Sequence, residues 1–488
     1  MLNRRDFLKW AGAGLATAAA PACGSAARAA EIGAAAPRKP NIVYFIIDEL
    51  GYYELSCMGH PEMQTPNVDR LAAGGMRFTQ LMAGGPVCAP TRSVLMTGQH
   101  LGHTSVRANG GGMPLKADDV TVAQVLKAAG YACGGFGKWG LGDRGSTGVP
   151  EKHGFDVFFG YYHQTHAHTF FPQYLIRNSE LVELPGNHDD FHEGQTFSQY
   201  RIVEEGKKFI RANKDRPFFA YMCWTPPHGQ WGLPKDDPSW ALYKDKPWSV
   251  GQQGKDDAKI YAAMVNLVDR EVGEVLAMLK ELGLAENTLV FFSGDNGGKA
   301  YFADKEHPAG LFAPNVDPKT GKRFRGGKSS LYEGGLRVPF IAYWPGRIAP
   351  GQVGDYLGCF TDVMPTLAEL AGAKPPDGID GLSLVPTLLG EKAAGRPQPQ
   401  HEYLYWEAGL KRAVRCGQWK LVGTPKQWEL YDLAADIEEQ QDVAAKHPDV
   451  VRKLAGYAEQ AHTPNTWGEW VDKSKSFRVT PEVKSYAP

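Results

Sequence analysis

The chain has 488 residues, with 53 basic and 54 acidic side chains, 43% hydrophobic residues and 22% charged residues. This composition is typical of a folded globular protein and excludes a disordered or fibrous chain. The formal net charge of −1 provides no basic excess for binding a phosphate backbone, so no nucleic acid partner is expected.

Residues 1–30 have the pattern of an export signal. Arg4 and Arg5 precede an uncharged stretch rich in Ala and Gly over residues 10–27, which ends in a small-x-small cleavage site. The segment resembles a twin-arginine signal peptide, which implies the twin-arginine translocase as a partner and a periplasmic or extracellular location. Cys23 leaves a lipid anchor open as a minority alternative. No later segment approaches the roughly 20 apolar residues of a membrane-crossing helix, so no transmembrane span is predicted.

The six cysteines after the signal are widely spaced and contain no C-x-x-C pair. This spacing excludes a disulfide scaffold and a zinc ribbon. The six are Cys57, Cys88, Cys133, Cys223, Cys359 and Cys416.

Helix and strand patterns then alternate along the chain. Residues 41–47 form a continuous apolar run rich in β-branched and aromatic side chains, which is typical of a strand buried on both faces. Similar reasoning predicts strands over residues 131–136, 218–224 and 288–292, and helices over residues 65–73, 90–97, 122–129, 197–212 and 257–282. The alternation favours an α/β fold, with a large mostly parallel central sheet and helices on both faces.

The pattern changes after a polar stretch at residues 390–400. Closely spaced strand candidates and one helix follow, at residues 403–406, 413–415, 419–422 and 448–461. They favour a small C-terminal antiparallel α+β domain over residues 400–488, after a main domain over residues 38–390. Within the main domain, residues 302–325 contain Pro and Gly and predict a long loop, a feature that is often functional.

Isolated polar residues follow four of the predicted strands. They are Asp48 and Glu49 after the first, Lys138 after the second, His228 after the third, and Asp295 and Asn296 after the fourth. Each one alone is typical of an ordinary turn or a solvated loop. Because ligands bind at the carboxyl edge of an open α/β sheet, four such coincidences favour a shared functional site.

The residue types at this edge indicate the chemistry. Carboxylate and amide oxygens suit a hard divalent cation such as Ca²⁺ or Mg²⁺. Four further side chains supply hydrogen-bond donors and positive charge for an oxyanion, namely Arg92, Lys138, His228 and Lys328. A metal ion and an oxyanion held together are typical of phosphoryl or sulfuryl transfer.

Residues 88–98, with the sequence CAPTRSVLMTG, indicate a family. They resemble the sulfatase signature C-x-P-x-R followed by S-x-L-x-T-G, a highly specific motif. The resemblance to type I, formylglycine-dependent sulfatases of the alkaline phosphatase superfamily covers nearly the whole mature chain, including residues 40–51, 137–139, 293–297, 325–328, 332–335 and 429–433. In particular, the chain is similar to bacterial arylsulfatases and to carbohydrate sulfatases of the N-acetylgalactosamine-6-sulfatase kind.

The resemblance implies that Cys88 is converted to Cα-formylglycine by a formylglycine-generating enzyme. In the family, the aldehyde hydrates to a diol, of which one hydroxyl attacks sulfur and the other drives the release of sulfate. A helix that starts at Pro90 would place Cys88 near a helix N-terminus, where backbone N–H groups favour an anion.

The resemblance also implies a metal site and a departure within it. Asp48, Asp295 and Asn296, together with the modified Cys88, would bind Ca²⁺, with Mg²⁺ as the alternative. The family usually has a second aspartate where this chain has Glu49, which is one methylene longer. We therefore expect Glu49 to reach the metal only through an altered loop.

The remaining roles concern the sulfate group. By resemblance, Lys138 and Lys328 would bind sulfate oxygens, and His228 would protonate or steady the leaving-group oxygen. Arg92 would hold the diol and the carboxylates on the metal side.

A second departure lies at Gly140, where the family usually has a histidine credited with taking a proton from the diol. His163, His166 and His168 are the nearest candidates for a replacement base. Surface histidines, or histidines that contact substrate, explain these three equally well.

The sequence thus predicts an exported enzyme that hydrolyses sulfate monoesters, on carbohydrate or glycosaminoglycan-like substrates. One alternative is a phosphonate monoester or phosphodiester hydrolase of the same superfamily. A more remote alternative is an inactive, sugar-binding relative of these enzymes, against which the intact set of Cys88, Arg92, Lys138 and Lys328 argues.

Overall fold

The computed structural model describes residues 38–110, 113–188 and 193–478. The predicted export signal with Cys23, and the last ten residues of the predicted C-terminal domain, lie outside this part of the chain. From Lys39 onward the chain forms one compact unit, so the predicted domain boundary at residues 390–400 stays a prediction.

The strands of the described ranges are β1 (Asn41–Ile47), β2 (Met76–Phe78), β3 (Leu81–Met82), β4 (Ala132–Lys138), β5 (Val157–Tyr161), β6 (Tyr174–Arg177), β7 (Glu180–Glu183), β8 (Phe218–Trp224), β9 (Thr288–Gly294), β10 (Phe340–Tyr343), β11 (Gln352–Gly354), β12 (Gly358–Cys359), β13 (Leu404–Ala408), β14 (Lys411–Cys416), β15 (Trp419–Thr424) and β16 (Gln427–Asp432).

The α-helices are α1 (Pro66–Gly74), α2 (Cys88–Thr97), α3 (Val122–Ala128), α4 (Ser198–Ala212), α5 (Pro238–Tyr243), α6 (Asp257–Glu281), α7 (Glu333–Leu336), α8 (Val363–Ala371), α9 (Val385–Leu389), α10 (Glu391–Ala394) and α11 (Pro448–Gln460). No helix in the described ranges combines the length and the apolar character that crossing a bilayer requires.

The central sheet has the strand order β11-β2-β10-β9-β1-β8-β4-β5-β6-β7. Its five middle strands, β9, β1, β8, β4 and β5, are parallel to their neighbours within that group. Antiparallel pairs flank them, β10 with β9 and β2 on one side and β6 with β5 and β7 on the other. The predicted α/β fold is confirmed, and the sheet is mixed at its edges.

Strand β1 shows why this sheet is covered on both faces. All seven of its residues are buried, and successive side chains of a strand point to opposite faces. Tyr44 and Ile46 join one hydrophobic cluster with residues of α2, α3 and α8. Phe45 and Ile47 join another, formed largely with α1, α4 and α6. Two helical layers therefore enclose the strand, as its continuous apolar run predicted.

A separate four-stranded antiparallel sheet, in the order β13-β14-β15-β16, forms near the C-terminus. Helix α11 packs against β14 and β15, which confirms the predicted small α+β element. The indole N–H of Trp406 in β13 donates a hydrogen bond to the carbonyl of Ala83, at 2.8 Å.

A buried group of charged side chains also joins this sheet to the main body. Lys420 Nζ lies 2.9 Å from Glu333 and 3.1 Å from Glu439. We call the group the junction cluster, and its members are Glu333, Arg337, Arg415, Lys420 and Glu439.

Candidate active site

The polar residues predicted from the sequence converge at one edge of the central sheet. The strands that carry them stand side by side in the order β9-β1-β8-β4 and run parallel, so their carboxyl ends meet. The side chains just at or beyond these ends are Asp48, Glu49, Lys138, His228, Asp295 and Asn296, and all are buried. This is the edge at which open α/β sheets bind ligands.

Helix α2 brings the signature cysteine to the same place. It begins at Cys88, two residues before the predicted start at Pro90, and Gly98 in the left-handed conformation (φ 66°) ends it. The Cys88 thiol donates a hydrogen bond to Asp48 Oδ1, at 3.1 Å. Burial, followed by the negative charges of Asp295 and Asp48, raises the pKa of this thiol well above its usual value. The thiol of the unmodified chain is thus protonated.

Two cations hold the carboxylates around Cys88 in position. Lys138 Nζ lies 2.6 Å from Asp48 Oδ2. One terminal nitrogen of Arg92 donates to Asp295 Oδ2 at 3.0 Å, and the other donates to the carbonyl of Lys138 at 2.6 Å. We call Asp48, Cys88, Arg92, Lys138 and Asp295 the catalytic cluster, after the role that the sequence resemblance implies for them. Its side chains are fully buried, and charges removed from water in this way persist only when they are paired.

The oxygen atoms of this edge fit a divalent cation. Ligand atoms of Asp48, Cys88 and Asp295 lie within 4.8 Å of one another. Asn296 Oδ1 is buried without a hydrogen-bond partner among the described residues. Burial and the charge of Asp48 raise the pKa of Asp295 to about 7, because two carboxylates face each other here. A hard cation would relieve that repulsion and use the free oxygen of Asn296.

Glu49 makes its side-chain contacts with residues other than these metal-ligand candidates. Its backbone has a φ of 60°, in the left-handed region that non-glycine residues rarely adopt. Its carboxylate forms an ion pair with Lys328, lies 3.1 Å from His228 Nε2, and accepts a hydrogen bond from the Tyr301 hydroxyl. The predicted metal role of Glu49 therefore stays a prediction, since its side-chain contacts are with Lys328, His228 and Tyr301. Tyr301 lies directly before the predicted loop at residues 302–325 and had no sequence signal of its own.

The basic side chains of the site, Lys138, Lys328 and His228, differ in their protonation. Burial lowers the pKa of Lys138, but the opposite charge of Asp48 outweighs it and the pKa is raised. Burial lowers the pKa of Lys328 to about 8 and that of His228 to about 4. His228 Nδ1 lies 2.6 Å from the carbonyl of Gly229 and Lys328 Nζ lies 3.2 Å from His228 Nε2. A neutral His228 thus donates through Nδ1 and accepts from Lys328 through Nε2.

Two of the histidines at residues 163–168, His166 and His168, have different surroundings in the structure. The ring of His168 stacks on His228 with centroids 3.8 Å apart, and its Nε2 lies 3.3 Å from Lys138 Nζ. His166 instead stacks on Phe477 with centroids 4.5 Å apart. His168 therefore belongs to the site, whereas the described ring contacts of His166 lie among aromatic side chains.

At Gly140, where the family usually has a histidine, the side chain of Gln164 approaches the backbone. Gly140 has a φ of 77°, and a Cβ atom there would lie only 2.6 Å from Gln164 Oε1. Gln164 is 7% exposed, and neither end of its amide has a hydrogen-bond partner within the described ranges. No sequence pattern predicted a role for Gln164, because only the folded chain brings its side chain to Gly140.

Comparison with known proteins identifies the family. Residues 40–373 match the family described as Sulfatase, and residues 324–461 match N-sulphoglucosamine sulphohydrolase, C-terminal. Residues 1–21 match the twin-arginine translocation pathway signal sequence, so the predicted export is confirmed.

Individual relatives agree with this assignment. N-acetylgalactosamine-6-sulfatase of Canis lupus familiaris is 34% identical over 448 residues, which cover 85% of this chain and 78% of that protein. Arylsulfatase A of Homo sapiens is 34% identical over 418 residues, or 80% and 75% of the two chains. The crystal structure of Ps i-CgsB in complex with k-i-k-neocarrahexaose has a TM-score of 0.72 and 26% identity, over 90% of this chain and 96% of that one. The chain therefore belongs to the sulfatase family and is a sulfuric ester hydrolase with an alkaline phosphatase-like fold.

Proposed function

We propose that this protein is an exported carbohydrate sulfatase that uses formylglycine at residue 88 and a bound Ca²⁺ ion. The observation that carries the proposal is the contact of Cys88, the first residue of α2, with Asp48, the carboxylate that also holds Lys138. A nucleophile, an acidic pair and a lysine thus share one buried site.

Asp48, Asp295 and Asn296, with the modified side chain of residue 88, would hold the cation. Their oxygen atoms are the ligands that Ca²⁺ prefers, and Mg²⁺ remains an alternative. The contacts of Glu49 with Lys328 and His228 support a role in holding those two side chains. Arg92 orients the metal side, because it binds Asp295 and the backbone of Lys138 at once.

The cations opposite the metal ligands would bind the sulfate group. Lys138 and Lys328 supply positive charge to sulfate oxygens, and neutral His228 offers its Nε2 to the bridging oxygen. His228 acts as an acid only after it receives a proton, and Lys328 at 3.2 Å is the nearest donor in the described structure. The formylglycine hydrate, when present, supplies a nucleophile that can release sulfate without a second attacking group.

The substrate is proposed to be a sulfated sugar. Similarity to N-acetylgalactosamine-6-sulfatase and to a protein solved with k-i-k-neocarrahexaose supports this. A cavity of about 790 Å³ is lined in part by Phe171, Trp231 and Trp240, and Trp231 packs on Tyr301 with centroids 5.0 Å apart. Aromatic side chains of this kind suit the apolar faces of sugar rings. His168, and less directly His166, are proposed to contact the sugar next to the sulfate.

Three further features belong to the proposal. The mature protein would act in the periplasm or outside the cell, after a formylglycine-generating enzyme has converted Cys88. The export route carries folded proteins, so this conversion would precede translocation. The catalytic domain would span residues 38–390 and the small C-terminal domain residues 400–488.

The test is a comparison of esters. The purified protein, with formylglycine at residue 88, should turn over an aryl sulfate and a sulfated N-acetylgalactosamine faster than an aryl phosphodiester. Preference for the diester would favour the phosphodiesterase alternative. A lack of turnover with every ester, combined with binding of the sulfated sugar, would favour the sugar-binding alternative.

A further inference from the structure

Two buried polar groups flank Gly140 without meeting each other. Gln164 Oε1 lies 2.6 Å, and Arg92 Cδ 3.8 Å, from the point where a Cβ of residue 140 would stand. Arg92 Nε, which is bonded to that Cδ, has no hydrogen-bond partner in the described part of the chain, and the same is true of the Gln164 amide. A donor and an acceptor are thus left unpaired on two sides of a residue that has no side chain.

The space beside Gly140 is small and polar. A cavity of about 10 Å³ borders Ala89, Asn109, Gly140 and Gln164, and Arg92, which does not line this cavity, approaches Gly140 through its Cδ. This volume suffices for one water molecule and for no larger group. Buried polar groups that lack a protein partner are commonly satisfied by such a water.

We propose that Gln164 is a positioning residue of the sulfatase reaction, and that it holds one buried water molecule beside Gly140 which hydrogen-bonds Arg92 Nε. The inference rests on the proposed function, because Arg92 matters to catalysis only if the catalytic cluster performs it. Gln164 acts through Arg92 and touches neither the metal ligands nor the substrate.

The remaining bonds of Arg92 explain why this water matters. Its two terminal nitrogens already bind the Lys138 carbonyl and Asp295. A third hydrogen bond at Nε fixes the rotation of the planar guanidinium, which has five donors in a rigid fork. The orientation of Asp295 then depends on Gln164, although the chain places no direct contact between them. A side chain at residue 140 would occupy the position of the water.

The variant Gln164→Met tests this role, since methionine has a similar volume and no hydrogen-bonding amide. We expect kcat to fall about 10-fold with KM within about twofold, as for other residues that orient a metal ligand from outside its coordination sphere. Gln164→Glu, which keeps an oxygen at the same place, should recover most of the loss. Gln199, a buried glutamine that donates to Glu271 at 2.7 Å, provides the matched control, and Gln199→Met should leave kcat unchanged.

A crystal structure of the formylglycine-containing protein tests the water independently of activity. We expect electron density for one water within hydrogen-bond distance of both the Gln164 amide and Arg92 Nε, and we expect its loss in Gln164→Met. A Gln164→Met enzyme with wild-type kcat, or a Gln164 amide bonded elsewhere with no water beside Gly140, would overturn the inference. Failure of the wild type to hydrolyse any sulfate ester would instead refute the proposed function. The electron density would still show whether the water is present.

Discussion

The catalytic cluster and the junction cluster are both buried groups of charges, and they differ in how many cations accompany two carboxylates. Arg337, Arg415 and Lys420 accompany Glu333 and Glu439, whereas Arg92 and Lys138 accompany Asp48 and Asp295. Glu333 of the junction cluster is surrounded by Lys420, Arg337 and Arg415, which outweigh burial and hold its pKa well below its usual value. Asp295 of the catalytic cluster faces Asp48, and its pKa is raised to about 7. The second carboxylate of each cluster behaves in the opposite way, since burial is outweighed by cations that hold the pKa of Asp48 well below its usual value, whereas burial raises the pKa of Glu439 to about 7. With three cations for two carboxylates the junction cluster compensates its own negative charge, whereas the catalytic cluster has no cation in excess and could accept one from outside the chain.

The largest expected effect is a loss of activity at the catalytic cluster with little change in stability. Cys88→Ala removes the proposed nucleophile, so kcat should fall at least about 10³-fold, in the range seen when other enzymes lose theirs. The melting temperature should change little, because the thiol contributes one hydrogen bond. Steady-state kinetics and thermal unfolding measure the two effects. Cys416→Ala, at a half-buried cysteine of the C-terminal sheet, is the control and should keep full activity.

The junction cluster should respond in the opposite way. Lys420→Met leaves Glu439 buried without its cation, and breaking a buried ion pair on one side costs about 3–5 kcal/mol of unfolding free energy. Urea unfolding measures this loss. The activity per folded molecule should stay at the wild-type level, and a large drop in kcat with unchanged stability would show that the two clusters are not separate in function.

Glu49 tests where the boundary of the metal site lies. Its carboxylate contacts Lys328, His228 and the Tyr301 hydroxyl, so Glu49→Gln should raise KM about 10-fold by leaving the buried Lys328 without a counter-charge. The affinity for Ca²⁺, measured by calorimetry, should change less than about twofold. Asp295→Asn is the matched control and should weaken Ca²⁺ binding at least about 10-fold. An equal loss of affinity in Glu49→Gln would make Glu49 a metal ligand after all.

The smallest expected effect is on the pH dependence of stability, through a histidine that precedes the C-terminal sheet. Burial lowers the pKa of His401, but the carboxylate of Asp362 at 2.8 Å outweighs it and the pKa is raised. The stabilisation from this pair is therefore complete below the unfolded pKa of about 6.5 and is lost as pH rises through the folded value. His401→Gln should remove about 1 kcal/mol or less of this dependence, measured by urea unfolding between pH 6 and pH 8. An unchanged pH dependence in the variant would show that another group is responsible.

The sequence predicted the site as far as local patterns reach. Asp48, Lys138 and Asp295 were found because each lies at or beside the end of a strand, and the apolar run of β1 made that strand visible. The short edge strands, such as the three residues of β2, carry too little pattern to be seen. The junction cluster was missed because Glu333 and Lys420 are 87 residues apart and meet only in the folded chain.

The direction in which a loop side chain points also could not be predicted from the sequence. The sequence does not distinguish His166 from His168. Both lie in one 3₁₀ turn, where the side chains of residues two apart point in different directions. One therefore meets Phe477 and the other meets His228. The contacts of Glu49 were beyond the sequence for a similar reason, since its backbone is left-handed and only the folded chain brings Lys328 and Tyr301 to its carboxylate.

The most direct test of the account is the chemical state of residue 88 in active protein. Peptide mass spectrometry of samples matured to different degrees gives the fraction of chains that carry formylglycine, and sulfate ester turnover gives the active fraction. The account predicts that activity rises in proportion to formylglycine content and vanishes when every chain keeps its thiol. Full activity in protein with an unmodified Cys88 would contradict it.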